Sequence, residues 1–132
     1  LRAGKHLEAL ADANAAIKAN SKVREAYLHR AFLLLRDLPQ NMRDVAKGAQ
    51  DVTAAVALEG GGEHATLRYA QALAAWLSGD DKLCRAQLAK CLEENEKFAW
   101  AYDLTATMAE RAGNKPAAAA ARKKFEEYGK GE

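Results

Sequence analysis

Several things are scarce in these 132 residues. Two cysteines are too few for a disulfide framework. No apolar run approaches the roughly 20 residues needed to span a bilayer, and no stretch resembles a signal peptide. Charge of one sign is missing as well. With 20 Lys and Arg against 18 Asp and Glu, the net charge is +2, a field too weak to argue for nucleic acid or an anionic membrane. β-branched residues are few: four Val, one Ile and four Thr. Alanine fills the space they leave, with 31 residues, and that composition favours helix. Hydrophobic content of 49% and charged content of 29% are globular values and exclude a disordered chain. The length suits one domain with a modest core.

Internal repetition is the next signal. Aligning Ala9, Gly48, Cys84 and Ala118 gives separations of 39, 36 and 34 residues. Seven positions later stand Ala16, Ala55, Cys91 and Phe125, small in three of the four cases. In the segments ahead of these, Ala31, Ala70 and Ala106 are separated by 39 and 36 residues. Small residues recur because two helices approach closely there. Replacing such a buried Ala with Leu overpacks the contact at about 1–3 kcal/mol.

Hydrophobic periodicity and breakers divide the chain into seven helices and no strand. Tyr27, Leu28, Ala31, Leu34 and Leu35 form an i, i+3, i+4, i+7 face. The spacing predicts helices over Lys5–Ala19, Arg24–Asp37, Asp44–Leu58, Glu63–Leu77, Asp81–Leu92, Phe98–Ala112 and Pro116–Tyr128. Pro39 ends the second, Gly60-Gly61-Gly62 stops the third, and Gly79-Asp80 and Gly113-Asn114 separate later pairs. Pro116 falls in a first turn, where its missing N–H is not needed. Asp80-Asp81 reads as an N-cap with a favourable dipole partner.

Phe98-Ala99-Trp100-Ala101-Tyr102, followed by Ala106, Ala109, Gly113, Ala118 and Phe125, resembles the tetratricopeptide repeat, as do Arg24-Glu25-Ala26-Tyr27, Ala31 and Leu34. The resemblance covers the whole chain and implies an all-α fold: an α-α superhelix, a solenoid of antiparallel helix pairs. It implies a single domain over 1–132, with units of about 1–22 (partial), 23–61, 62–97 and 98–132. The second unit carries about five extra residues around Leu38 to Met42, and the third about two around Leu77-Ser78. The family's proline after the second helix is absent at Ser21, Gly60 and Glu96. The first helix matches the second helix of a unit. We therefore expect either a fragment of a longer chain or another surface covering Leu7, Leu10 and Ile17.

Catalytic and metal constellations are not evident. His6, His29 and His64 are scattered and lack ligand partners at zinc spacing. Cys84 and Cys91 lie two helical turns apart, about 10 Å, which suits packing and not a redox pair. Gly60-Gly61-Gly62 has no preceding strand and no Gly-Lys-Ser/Thr ending, so it reads as a turn and not a phosphate loop. Arg122-Lys123-Lys124 runs straight into Glu126-Glu127 and reads as a solvated face. No catalytic residue, metal or cofactor is expected.

In proteins of this kind the first helix of each pair lines an inner groove that receives a peptide. By position, the resemblance assigns to that groove Leu28, His29, Phe32 and Arg36, then Arg68 and Gln71, then Asp103, Thr107 and Arg111. Leu28 and Phe32 equally suit a core, and Arg36 and Arg68 a solvated surface. The carboxylate clamp that related domains use on chaperone tails is absent, since His29 and Phe32 stand where Asn is needed and Ala72 follows Arg68. The expected role is a protein–protein interaction module, an adaptor or scaffold binding a protein or peptide partner, without nucleic acid or membrane. The alternatives are self-association through the exposed N-terminal helix and regulation of an enzyme elsewhere in a longer chain. Two reduced cysteines and no signal point to the cytoplasm.

Overall fold

Seven α-helices account for most of the computed structural model, which describes residues 3–58 and 64–130. They are α1 (Ala3–Ala19), α2 (Arg24–Phe32), α3 (Val45–Ala57), α4 (Ala65–Leu77), α5 (Asp81–Glu94), α6 (Ala99–Arg111) and α7 (Lys115–Gly129). No strand occurs among the described residues. The fold is all-α. The expected stop at Gly60-Gly61-Gly62 lies outside the described residues.

The most extensive contacts are α6 on α7, α4 on α5 and α2 on α3, so these helices form three hairpins. α3 also packs on α4, and the first helices of the three hairpins touch in succession, α2 to α4 and α4 to α6. The core runs along these seams. Leu28, Leu35, Val52, Tyr69, Leu73, Leu88 and Leu104 supply its bulk, and Ala31, Ala55, Ala70, Ala72, Ala101, Cys84 and Cys91 keep the helices close. Each large apolar side chain buried there contributes roughly 1.5–3 kcal/mol.

Local hydrogen bonds repeat along with the helices. Each second helix starts on a side-chain cap: Asp44 accepts from the Lys47 amide at 3.0 Å, Asp80 from Leu83 at 3.0 Å and Asn114 from Ala117 at 3.2 Å. The turns leaving α4 and α6 are the same. Asp80 N–H reaches the Ala75 carbonyl at 2.8 Å and Gly79 N–H the Trp76 carbonyl at 3.1 Å; Asn114 to Ala109 and Gly113 to Glu110 repeat this at 2.9 and 3.1 Å. This six-to-one, five-to-two closure needs a left-handed residue, supplied by Gly79 at φ +87° and Gly113 at φ +78°. The turns entering α2 and α6 also correspond. Asn20 and Asn95 accept from the amides of Lys22 and Lys97, and the Tyr27 and Tyr102 hydroxyls donate to the Ser21 and Glu96 carbonyls.

These bonds correct the alignment of the middle unit. Asn114 stands eight residues after Ala106, and eight residues before Asp80 stands Ala72, not Ala70. No insertion is present at Leu77-Ser78, because both turns close identically. The two extra residues fall between Asp44 and Ala72. The five extra residues near Leu38 are where expected, and they change the helix end. α2 continues into a wider turn over Leu33–Asp37, in which Leu38 N–H bonds the Leu33 carbonyl five residues back. Pro39 holds Leu38 extended at ψ 153° and ends the helix. A single 3-10 turn, Gln40–Met42, then leads to Asp44.

The first helix departs from expectation. Ala16 is exposed, not buried in a seam. Its counterpart by spacing, Cys91, is fully buried because α5 packs against α4, the helix ahead of it; no helix precedes α1 among the described residues. α1 instead packs Ala13, Ala9 and Leu10 onto Leu33, Leu34, Leu38 and Met42, forming a second small core. Leu10 is thus partly covered and Ile17 is half-buried, whereas Leu7 stays 48% exposed.

Candidate functional site

Arg36 organises the face shared by the first helices. Its guanidinium carbon lies 3.8 Å from the Trp100 ring centre, 4.9 Å from Phe32 and 5.8 Å from Tyr69. The fork bonds Asp37 at 2.6 and 3.1 Å, and the Tyr69 hydroxyl lies at 3.3 Å. Phe32, Tyr69 and Phe98 continue as a tilted series with ring centres 5.7 and 5.5 Å apart. Trp100 leans on Phe125 of α7 at 5.2 Å. Burial opposes the Arg36 charge, but the hydrogen bonds it donates to Asp37 and Tyr69, with the attraction of those groups, outweigh it and hold the guanidinium above its ordinary value. Burial also pushes the Tyr69 phenol up to about 12, with Arg36 pulling the other way. A cation shared among three rings and one carboxylate ties α2, α4 and α6 together.

The residues assigned to a groove therefore separate. Phe32 and Arg36 are held inside this aromatic cluster. Leu28 belongs to the core at 8% exposure, and its remaining edge borders a shallow recess with Arg24, Glu25, Thr66 and Leu67. His29 is exposed and Arg68 half-buried; the Arg68 Nε meets no acceptor among the described residues. Gln71 faces the other side, between α3 and α5. Asp103 bonds Arg122 of α7, which also reaches Glu110 at 3.0 Å. Thr107 turns its hydroxyl to the Asp103 carbonyl at 3.1 Å. Arg111 lies over Trp76, 5.2 Å from the ring centre.

One polar network went unread in the sequence. Arg30 grips Asp51 in a two-point fork, both bonds 2.7 Å, and its third nitrogen donates to Asn14 at 3.0 Å. Lys47 approaches Asp51 at 4.0 Å. Asp51 is 2% exposed and Arg30 12%, so α1, α2 and α3 share a buried ion pair. The only trace in the sequence is an acid on the apolar side of α3, one position before Val52.

The face between successive second helices carries a repeated recess. One, about 380 Å³, lies between α3, α4 and α5, with Ala49, Val52, Gln71, Ala74, Ala75, Ser78 and Asp80 among its walls. A second, also about 380 Å³, is lined by Arg85, Leu88, Thr105, Met108, Ala109, Ala112 and Asn114. The wall positions of Gln71, Ala74 and Ala75 in α4, and of Ser78 just after it, each recur 34 positions on, and those of Ala49 and Val52 recur 36 positions on. A third recess of about 240 Å³ adjoins the second, bounded by Trp76, Asp81, Arg85, Met108, Arg111 and Ala112.

Nucleophile and metal chemistry find little footing. Burial, reinforced by Asp81, pushes the Cys84 thiol up to about 11, so it stays protonated and packs against the Met108 sulfur at 3.7 Å. Among the described residues no three His, Cys, Asp or Glu side chains converge on a metal position, and no helix is long and apolar enough to cross a membrane. No family model, curated protein or solved structure matches the chain.

Proposed function

We propose that this chain is a helical-repeat interaction module of the tetratricopeptide kind, an adaptor or scaffold that binds a segment of another protein. In this reading the three hairpins stack into a right-handed superhelix. The observation that supports it most is the 34-residue recurrence, from α4–α5 to α6–α7, of the turn closure and the cap, together with the recess walls that α4 and α6 supply. A hairpin cannot bury its apolar face alone, so units of near-constant spacing stack and leave long continuous surfaces. Such surfaces serve recognition without catalysis, a cofactor or a metal, and the proposed setting is the cytoplasm. A fold of this kind does not name its partner.

The test is affinity capture on the immobilised protein beside two charge-reversal variants, Arg68→Glu and Arg111→Glu, each checked for an unchanged melting temperature. A protein retained by the wild type and lost by at least one variant supports the module reading. Nothing retained by the wild type, or equal retention by all three, overturns it for these faces. Self-association through α1 is the second reading, favoured by the exposure of Leu7 and Ala16. Sedimentation showing a concentration-independent monomer removes it.

A further inference from the structure

Two guanidinium groups stand at one apolar recess without a carboxylate partner among the described residues. Arg85 from α5 and Arg111 from α6 both border the 240 Å³ recess, with Trp76 and Met108 as its apolar wall. Arg85, Met108 and Ala112 continue into the adjoining 380 Å³ recess, where Leu88 and Ala109 extend the apolar surface. Among the described residues Arg85 and Arg111, like Arg43 and Arg68, form no ion pair, whereas Arg24, Arg30, Arg36 and Arg122 each do. The one acid at the recess, Asp81, lies in the first turn of α5, where the positive end of the helix offsets its charge.

The repeat itself shows that hairpin packing does not require these cations. At the corresponding positions in the preceding unit, 36 and 34 residues earlier, stand Ala49 and Leu77. The earlier recess, equal in volume to the adjoining 380 Å³ one, has no cation in its walls. Of the two matched recesses, the one at the α4–α5–α6 end alone carries a cation on its apolar rim. Arg111 is also preoriented, its planar group held over the Trp76 ring at 5.2 Å. A carboxylate can take two parallel bonds from such a group.

We infer that this recess binds an acidic, aliphatic segment of a partner protein. Carboxylates of the segment meet Arg85 and Arg111, and an aliphatic side chain between them enters against Met108, Leu88 and Ala112. The inference rests on the module reading above and supplies the partner chemistry that reading leaves open. A basic segment is repelled by the two guanidinium groups, and a neutral one loses the charge-assisted bonds.

The probe is a pool of short fluorescein-labelled peptides rich in glutamate and leucine, beside matched pools with glutamine or lysine in place of glutamate. Fluorescence polarisation should show binding of the acidic pool alone, weakening as salt rises. The double variant Arg85→Gln/Arg111→Gln should reduce affinity about tenfold or more, a loss of about 1.4 kcal/mol or more, with the melting temperature unchanged, and Arg68→Gln should leave it intact. The Trp76 indole N–H resonance should move on titration while that of Trp100 stays in place. Equal binding of the glutamine pool, no binding of the acidic pool, or indifference to the double variant overturns the inference. If a partner captured as above still binds while the acidic pool fails, the module reading stands and this site falls; if neither binds, both fall.

Discussion

Glycine in the first turn of a helix is replaceable by alanine on propensity alone, with a gain of about 1 kcal/mol. Gly48 in α3 should behave in the opposite way. A Cβ built there lies 2.6 Å from Leu35 Cγ, 2.7 Å from Leu35 Cδ2 and 3.4 Å from Leu34 Cβ. Carbon contacts settle at about 3.5–4.0 Å, so Leu35 must retreat by roughly 1 Å. It has nowhere to go: it is 2% exposed and sits on the widened turn that Pro39 terminates. Overpacking of this kind costs about 1–3 kcal/mol. Set against the propensity gain, Gly48→Ala should destabilise by up to about 2 kcal/mol, read as a fall in urea midpoint without a change of slope. The melting temperature should drop by about 3–5 °C per kcal/mol for a chain of this size. In a Leu35→Ala background the obstruction is gone, and the same substitution should be neutral or stabilising. Stability equal to or above wild type in the Leu35 background would show that α3 does not depend on this close approach.

Three further outcomes follow from the same contacts. Asp51→Ala leaves the Arg30 guanidinium largely buried without its partner, and should cost about 3 kcal/mol in chemical denaturation; Arg30→Met added to it should recover part of that loss. Arg36→Lys keeps the charge but loses the planar contact with Trp100 and the fork on Asp37. It should lower stability by about 1 kcal/mol and alter the near-ultraviolet dichroism of the aromatic cluster. Stability should also fall with alkali. The Cys84 thiol titrates at about 11 in the folded chain against 9.0 as its ordinary value. Above pH 9 the unfolded chain releases that proton while the folded chain holds it, so stability declines between about 9 and 11. Tyr69, raised from 10.0 to about 12, extends the decline upward in the same direction. Cys84→Ala should flatten the first part of this profile, and an unchanged profile would exclude Cys84 as its source.

Much of the helical layout follows from local chemistry and is legible in the sequence. Pro39, Gly79, Gly113 and the caps Asp80 and Asn114 act through their own backbone and the next turn, so their positions alone place helix ends. The placement of Cys84 and Cys91 on one buried face follows equally from a period of 3.6 residues. The candidate site was legible only in part. Arg68 and Arg111 were named without their surroundings, and Arg85 and Trp76 went unnoticed, because nothing in a linear pattern says that α5 brings one arginine beside another on α6.

What the chain determines by itself is the number of helices, their ends and the spacing at which they recur, since these depend on neighbours within a turn or two. Tertiary structure alone decided that Arg36 fills the face between Phe32, Tyr69 and Trp100. It also decided that Ala16 is open while its counterpart Cys91 is buried. Each of these depends on which other helix covers a given face. That is a contact between residues distant in sequence, and local periodicity does not encode it.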